Sequence, residues 1–375
     1  MIRPLLRATA PSTDGWLWLA VAALVGLSLT MVYSASLPEG PRPGLTTEAW
    51  RQTAYALTGL VLMLGAARFD YRQLQRAAAT LYLGSIGTLV AVLLVGVAQH
   101  GARRWLGADG FTVQPAEFAK LALVVALASY AATRSPRLPA LLTTLGLVAL
   151  PAALVALEPD LGTAIVLAGV WVVLIVVWGT PWRVLGGLFA VGAALGPVAF
   201  AMVPDYQRER LAVFLDPGRD PLGSGFNLRQ VDLALGTAGL TGHGLFSGAA
   251  SHLDSVAARS SDFMFGFIGA ELGLVGGLVV LALLACIVLR GLAAARHATD
   301  PFGRLLACGL TAMVLTQALV NVAVNLRMFP ATGIPLPFIS QGGSSLVAML
   351  LAAGLLQSVA SHSTSAADAR SSRRG

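Results

Sequence analysis

Charge is what this chain has least of. Only 11% of its 375 residues are Asp, Glu, Lys or Arg, while 56% are hydrophobic. A soluble domain carries about 25% charged residues. That leaves too little polar side chain to cover a water-facing surface, which excludes a soluble enzyme and also a disordered chain. Cysteine is nearly missing. Cys286 and Cys308 both lie in apolar runs and read as small buried hydrophobes, not as a disulfide, metal or redox site. The 41 glycines follow no Gly-X-Y period, which excludes collagen. No GxxxxGK[ST] phosphate loop occurs, so nothing points to a nucleotide-driven machine. Lysine is reduced to a single residue, Lys120, and every other base among the 25 Lys and Arg is arginine.

What is present is long apolar runs. Stretches of roughly 18 to 25 such residues read as membrane-spanning helices. Ten are predicted, at 15–36, 51–67, 75–98, 114–133, 138–157, 161–179, 183–203, 262–289, 303–327 and 343–360. The first is too long to be a removable signal peptide and is expected to stay as an anchor. The pattern predicts an all-α polytopic protein with residues 1–360 as one membrane domain. The Ser-, Ala- and Arg-rich stretch 361–375 is expected to be a disordered tail. Ten spans put both termini on one side. Arginine is concentrated in the connections on that side, among them Arg68, Arg72, Arg134, Arg183, Arg290 and Arg304, while the short opposite connections hold few. Both termini are therefore expected in the cytoplasm. The long loop 204–261, between spans seven and eight, is expected outside.

Polar, Gly/Pro-rich sequence gathers on the expected outer face. Lys120 lies in QPAEFAK, one helical turn after Glu117, so the two share a helix face. A lone charge inside a span costs about 2.5–3.5 kcal/mol on insertion scales, so pairing is expected. The pair reads either as a structural tie between helices or as part of a site where Lys120 meets an anionic group. Glu158-Pro159-Asp160 is a short turn whose carboxylates either cap the next helix or form a second wall of the site. Asp262 follows Ser260-Ser261 at the lip of span eight. It reads equally as a helix cap and as a catalytic carboxylate whose pKa partial desolvation raises. Glu271, nine residues on, lies too far along the helix to pair with Asp262 and needs a partner on another helix. Residues 330–345 hold three prolines and three glycines. Broken backbone at membrane depth lines a cavity or is buried in protein, and Gly342-Gly343-Ser344-Ser345 offers N–H groups at a helix start. The loop's charges nearly cancel, unlike a nucleic-acid-binding patch.

In order along the chain stand MVYSAS (31–36), RRWLG (103–107), QPAEFAK (114–120), PDLGT (159–163), FLDPGRDPLGSGFNLRQ (214–230), SDF (261–263), ELGLVGG (271–277) and TGIPLPFISQGGSS (332–345). The ordered set resembles the bacterial SEDS family, which groups RodA, FtsW and SpoVE. The resemblance implies a multi-pass protein of the cytoplasmic membrane. It implies a peptidoglycan glycosyltransferase that polymerises lipid II, an undecaprenyl-pyrophosphate disaccharide-peptide, beside a class B penicillin-binding protein that crosslinks the product. Asp262 stands where the family has its essential aspartate and is the expected general base. Lys120, Glu117, Arg210, Gln230, Asp160, Ser344 and Ser345 are the expected substrate-binding residues. A divalent cation, Mg or Mn, bridging the phosphates is compatible with that chemistry, and no organic cofactor is expected. The sequence departs from the family pattern at Ser260-Ser261, usually His-Thr, at Ala270, usually Glu, at His243, usually Lys or Gln, and at Gln341, usually Tyr. A lipid II flippase or other secondary transporter is the rival reading. The near absence of charge in the inner halves of the spans favours the enzyme. Elongation-type and division-type roles both stay open.

Overall fold

Helix starts in this chain are written locally. Asp14 accepts from Leu17 N, Thr46 from Ala49 N, Asp160 from Thr163 N and Asp300 from Gly303 N, each taking up one of the N–H groups that a first turn leaves unpaired. Pro115 and Pro301 open their helices, where a missing N–H costs nothing. The computed structural model describes residues 14–37, 44–99, 102–108, 111–201, 205–220, 223–247 and 260–371.

Ten long helices stand where the ten apolar runs predict them: α1 (Gly15–Ala35), α2 (Thr47–Arg68), α3 (Arg72–Val95), α4 (Pro115–Ala132), α5 (Leu138–Leu157), α6 (Leu161–Val177), α7 (Trp182–Ala201), then α10 (Met264–His297), α11 (Pro301–Asn325) and α12 (Gly343–Ser371). Seven of them are individually long and apolar enough to cross a membrane. Of the others, α6 has 17 residues, near the lower limit for a span, and α2 carries Glu48 and Arg51 in its first turns. The long loop is not bare. It holds α8 (Asp205–Leu215), a 3-10 turn at Pro217–Arg219, and α9 (Ser224–Ala238). Three short antiparallel strands, β1 (Val97–Gln99), β2 (Ala102–Ala108) and β3 (Phe111–Val113), pair in the order β1-β2-β3. β1 and β3 are too short to show as an alternating pattern, and β2, ARRWLGA, does not alternate. α12 runs on to Ser371, into the stretch whose composition predicts disorder, and 372–375 lie outside the described residues.

The most enclosed spans are α4, α11 and α12. Around them α1, α3, α5 and α10 turn exposed leucine and valine outward, the face a span presents to lipid. Two breaks in the outer helices are repaired by neighbours. Pro151 sits inside α5 and has no N–H for the carbonyl of Leu147. The Tyr82 hydroxyl of α3 donates to that carbonyl instead, at 3.0 Å. In α10, Gly273 has φ +67°, open only to a residue without Cβ. The N–H groups of His243 and Gly244 donate to the freed carbonyls of Ala270 and Glu271, both at 2.9 Å, while Leu274 and Val275 donate to Gly239 and Leu240. The segment after α9 is thus stitched into the break. A Cβ on Gly273 would lie 2.4 Å from Gly242 N. Glu271 finds its cross-helix partner in α1, where Ser34 Oγ donates to its Oε1 at 2.5 Å.

Candidate functional site

At the end of the bundle where α4 and α12 begin, side chains from α2, β2, β3, α8 and the segments 260–262 and 333–345 enclose a polar cavity of about 570 Å³. Asp262, Arg210, Ser344 and Ser345, four of the expected site residues, line it together with Glu48, Arg51, Gln52, Tyr55, Arg104, Trp105, Thr112 and Gln114.

Asp262 is half-buried and does not cap α10. The N-cap of that helix is Phe263, which makes no side-chain cap bond. Of the two readings open to the sequence, a helix cap and a catalytic carboxylate, the geometry does not support the first. Burial pushes the Asp262 carboxyl above its ordinary pKa, and the charge of Asp160 adds to this. The hydrogen bond from Ser261 and the guanidinium groups of Arg210 and Arg104 pull it partly back. A carboxylate held this way is a better base than one in water. Arg210, from α8, is fixed by donating to the carbonyl of Ala331 at 3.2 Å.

The opposite wall is built on the 158–160 turn. Arg104 donates through Nε to the carbonyl of Glu158 at 2.8 Å and through Nη2 to that of Pro159, which aims its guanidinium into the cavity. Asp160 caps α6 as the local reading expects, and it also accepts from Gln114 Nε2 at 3.1 Å. Gln114 N in turn donates to Ser344 Oγ at 2.9 Å. Asp160 therefore acts behind the lining, through Gln114.

Lys120 and Glu117 are placed differently from the substrate contact expected of them. Both are fully buried beneath the cavity and neither lines it. Lys120 Nζ lies 2.8 Å from Glu117 Oε2 and donates to Gln317 Oε1 at 2.6 Å. Gln317 Nε2 then donates to the Pro335 carbonyl at 3.0 Å and to Ser345 Oγ at 3.2 Å. An enclosed ion pair has no room for an anion unless the pair is broken. The pair is linked to the lining by one amide. Gln230, on α9, is also outside the lining.

Two features were missed in the sequence. Arg104 was legible in RRWLG but carried no pattern linking it to Asp262. Gln317, Asn321 and Asn325 recur four residues apart in an apolar span, a polar stripe that marks an inward face. The departures at Ser260 and Gln341 meet in the fold. The two residues exchange a side-chain bond of 2.5 Å and a backbone bond of 2.7 Å.

Glu158 is buried, and neither of its carboxyl oxygens has a hydrogen-bond partner. Burial, then the neighbouring Asp160, raises its pKa to about 8 against the opposing pull of Arg104. Between its unfolded value near 4.5 and about 8 the folded chain holds a proton the unfolded chain has lost, so stability falls as pH rises through that window. Glu158→Gln is expected to match the wild type in thermal stability at pH 5 and to exceed it at pH 8. Melting curves in detergent across that range check this. Equal slopes for both proteins would refute it.

Among the described residues no three His, Cys, Asp or Glu side chains come together as a metal site. Asp262 and Glu48 are the carboxylates that line the cavity. Among the described residues these two carboxylates are too few to build a metal site from protein ligands alone, and a divalent ion there would need further oxygens from substrate phosphates.

The model of the FtsW/RodA/SpoVE family, described as cell cycle protein, matches residues 15–365. The peptidoglycan glycosyltransferase MrdB of Escherichia coli is 36% identical over 353 residues, 93% of this chain and 94% of its own. Stage V sporulation protein E of Bacillus subtilis is 33% identical, covering 94% of this chain and 98% of its own. Among solved structures, a chain of a peptidoglycan synthase complex that coordinates polymerization and crosslinking superimposes with a TM-score of 0.80 at 32% identity, over 94% of this chain and 98% of that one. The crystal structure of the rod shape determining protein RodA of Thermus thermophilus gives 0.69 at 30% identity, over 93% and 97%.

Proposed function

Because the chain belongs to the FtsW/RodA/SpoVE family of cell cycle proteins, we propose that its polar cavity is where a peptidoglycan glycosyltransferase of the bacterial cytoplasmic membrane joins lipid II units, with Asp262 as general base. The observation that carries the assignment is a carboxylate free of capping duty, raised in pKa, in one cavity with Arg104 and Arg210.

Chain growth requires the C4 hydroxyl of one sugar to attack the anomeric carbon of another. The O–H bond of that hydroxyl breaks as its oxygen forms the new glycosidic bond, and the anomeric C–O bond to the lipid pyrophosphate breaks with inversion. Asp262 takes the hydroxyl proton. Pyrophosphate leaves without a proton, so no second acidic carboxyl is needed. Arg210 and Arg104 take up its developing charge as fixed donors, assisted by the first turn of α12 at Ser344 and Ser345. A divalent ion carried on the phosphates would add charge compensation. Lys120 and Glu117 act from below by holding Gln317 against Pro335 and Ser345. Trp105 offers an apolar face against which a sugar can lie.

The lipid tail is placed along α2. α2 lines the cavity with Gln52 and Tyr55 and, further along, an apolar groove of about 830 Å³ with Val61, Leu62 and Gly65. α3, α4 and α12 complete the groove, whose apolar lining suits a polyprenyl chain. A class B penicillin-binding protein is the proposed partner, in keeping with the synthase complex to which the fold is similar.

The cavity end must face outward, and the arginine distribution supports that orientation. Single cysteines at positions 224 and 365 test it, using Ser224→Cys and Ser365→Cys. An impermeant thiol reagent added to intact cells is expected to label the first and spare the second. Labelling at 365 would overturn the orientation. Purified protein given labelled lipid II is expected to form glycan strands, and more of them with the partner present.

A further inference from the structure

Helix α11 carries a ladder of amides on one face. Gln317, Asn321 and Asn325 lie at i, i+4 and i+8, which aligns their side chains, and all three are fully buried. Buried amides demand that donors and acceptors be paired. Following the pairs shows what the ladder holds. Asn321 Nδ2 donates to the backbone carbonyl of Asp262 at 3.0 Å and to that of Ile334 at 2.8 Å. Asn325 Nδ2 donates to the same Asp262 carbonyl at 3.0 Å and to the Asn321 carbonyl at 2.9 Å. Two amides therefore converge on the two lone pairs of one oxygen.

Asn325 also faces the other way. Its Oδ1 accepts from Gly266 N at 2.8 Å, an N–H in the first turn of α10 with no partner within that helix. α10 lacks a side-chain cap of its own, so Asn325 caps it from a different helix. The neighbouring carbonyls are held as well, Ser261 by Ser340 Oγ at 2.6 Å and Ser260 by Gln341 N at 2.7 Å. Three successive peptides are thus pinned from outside their own segment.

We propose that Asn321 and Asn325 are positioning residues of the site: their amides fix the peptide from which the Asp262 carboxylate enters the cavity, and they relieve Asp262 of capping α10. The choice of residue is chemically specific. Lysine or arginine in their place would be free to pair with the carboxylate and hold it as a weaker base. Aspartate would lose the donors and set an acceptor against an acceptor. Amides hold the backbone and add no net charge. The inference rests on the assignment of Asp262 as base.

The test uses the full chain with labelled lipid II, comparing Asn321→Val with Asn321→Thr and Asn325→Val with Asn325→Thr. Valine and threonine share a shape, and only threonine keeps a donor. Turnover is normalised to protein that elutes as one species, and melting temperature is recorded for each. Each valine variant is expected to lose on the order of tenfold in kcat with KM for lipid II little changed. Each threonine variant should recover part of the loss. The double valine variant should lose more than the product of the singles, because either amide alone still holds the carbonyl. The acid limb of the pH–rate curve should shift toward lower pH as the released carboxylate gains water. Wild-type kcat and pH profile in the valine variants would overturn the proposal. So would equal losses in the valine and threonine variants that follow their melting temperatures. An active Asp262→Asn control would instead remove the base assignment itself.

Discussion

Lys120→Ala is expected to abolish polymerisation and to cost about 3–5 kcal/mol of stability, the toll of leaving a buried carboxylate without its partner. Glu117 would stay buried with no cation near it, because the 2.8 Å contact to Lys120 Nζ is its ion pair. Gln317 would lose the 2.6 Å bond that orients its amide, and with it the hold on Pro335 and Ser345. Lys120→Arg should recover only part, since a planar guanidinium cannot occupy the space of a compact ammonium between two acceptors. A paired change separates the two effects. Glu117→Gln with Lys120→Met removes both charges and keeps the shapes, so stability should return close to wild type. Activity should stay low, on the order of tenfold or more below wild type, because no cation orients Gln317. Melting temperature and glycan synthesis measured together decide it. Full activity in the neutral pair would mean that Lys120 is a structural tie and nothing more.

The membrane helices were legible because bilayer thickness writes itself into run length. All ten predicted runs became helices. The strands at 97–113 were not legible, since three residues of β1 or β3 are too few to show alternation. Nor were α8 and α9, whose charged sequence carries no clean apolar period. The break at Gly273 was hidden inside an apolar run, and only the approach of Gly242 explains it. In the site, Asp262 could be singled out by position, but not separated from a helix cap until α10 proved to be capped by Asn325. Lys120 was conspicuous as the lone lysine, yet its enclosure by Glu117 and Gln317 depends on α11, nearly two hundred residues away. Arg104 was missed for the same reason, because its orientation comes from two carbonyls of the 158–160 turn. Ser260 and Gln341 looked like independent departures from the family pattern, and the fold joins them.

Asp262→Asn is expected to lose on the order of 10²–10⁴ in polymerisation rate, the usual contribution of a general base, while the protein folds, inserts and binds lipid II as before. The substitution keeps the shape of the side chain and removes its capacity to accept a proton. Stability should hold, because Asp262 caps no helix and the backbone carbonyl gripped by Asn321 and Asn325 is unchanged. Asp262→Ala should be as inactive, with Asp262→Glu retaining a small fraction, since its carboxylate is displaced by one methylene. The most direct measurement is the glycan product formed from labelled lipid II by purified wild-type and Asp262→Asn proteins of equal melting temperature. Strands from the wild type and unreacted lipid II from the variant are the predicted result. Strands of equal length and amount from both would contradict the assignment of Asp262 as the base.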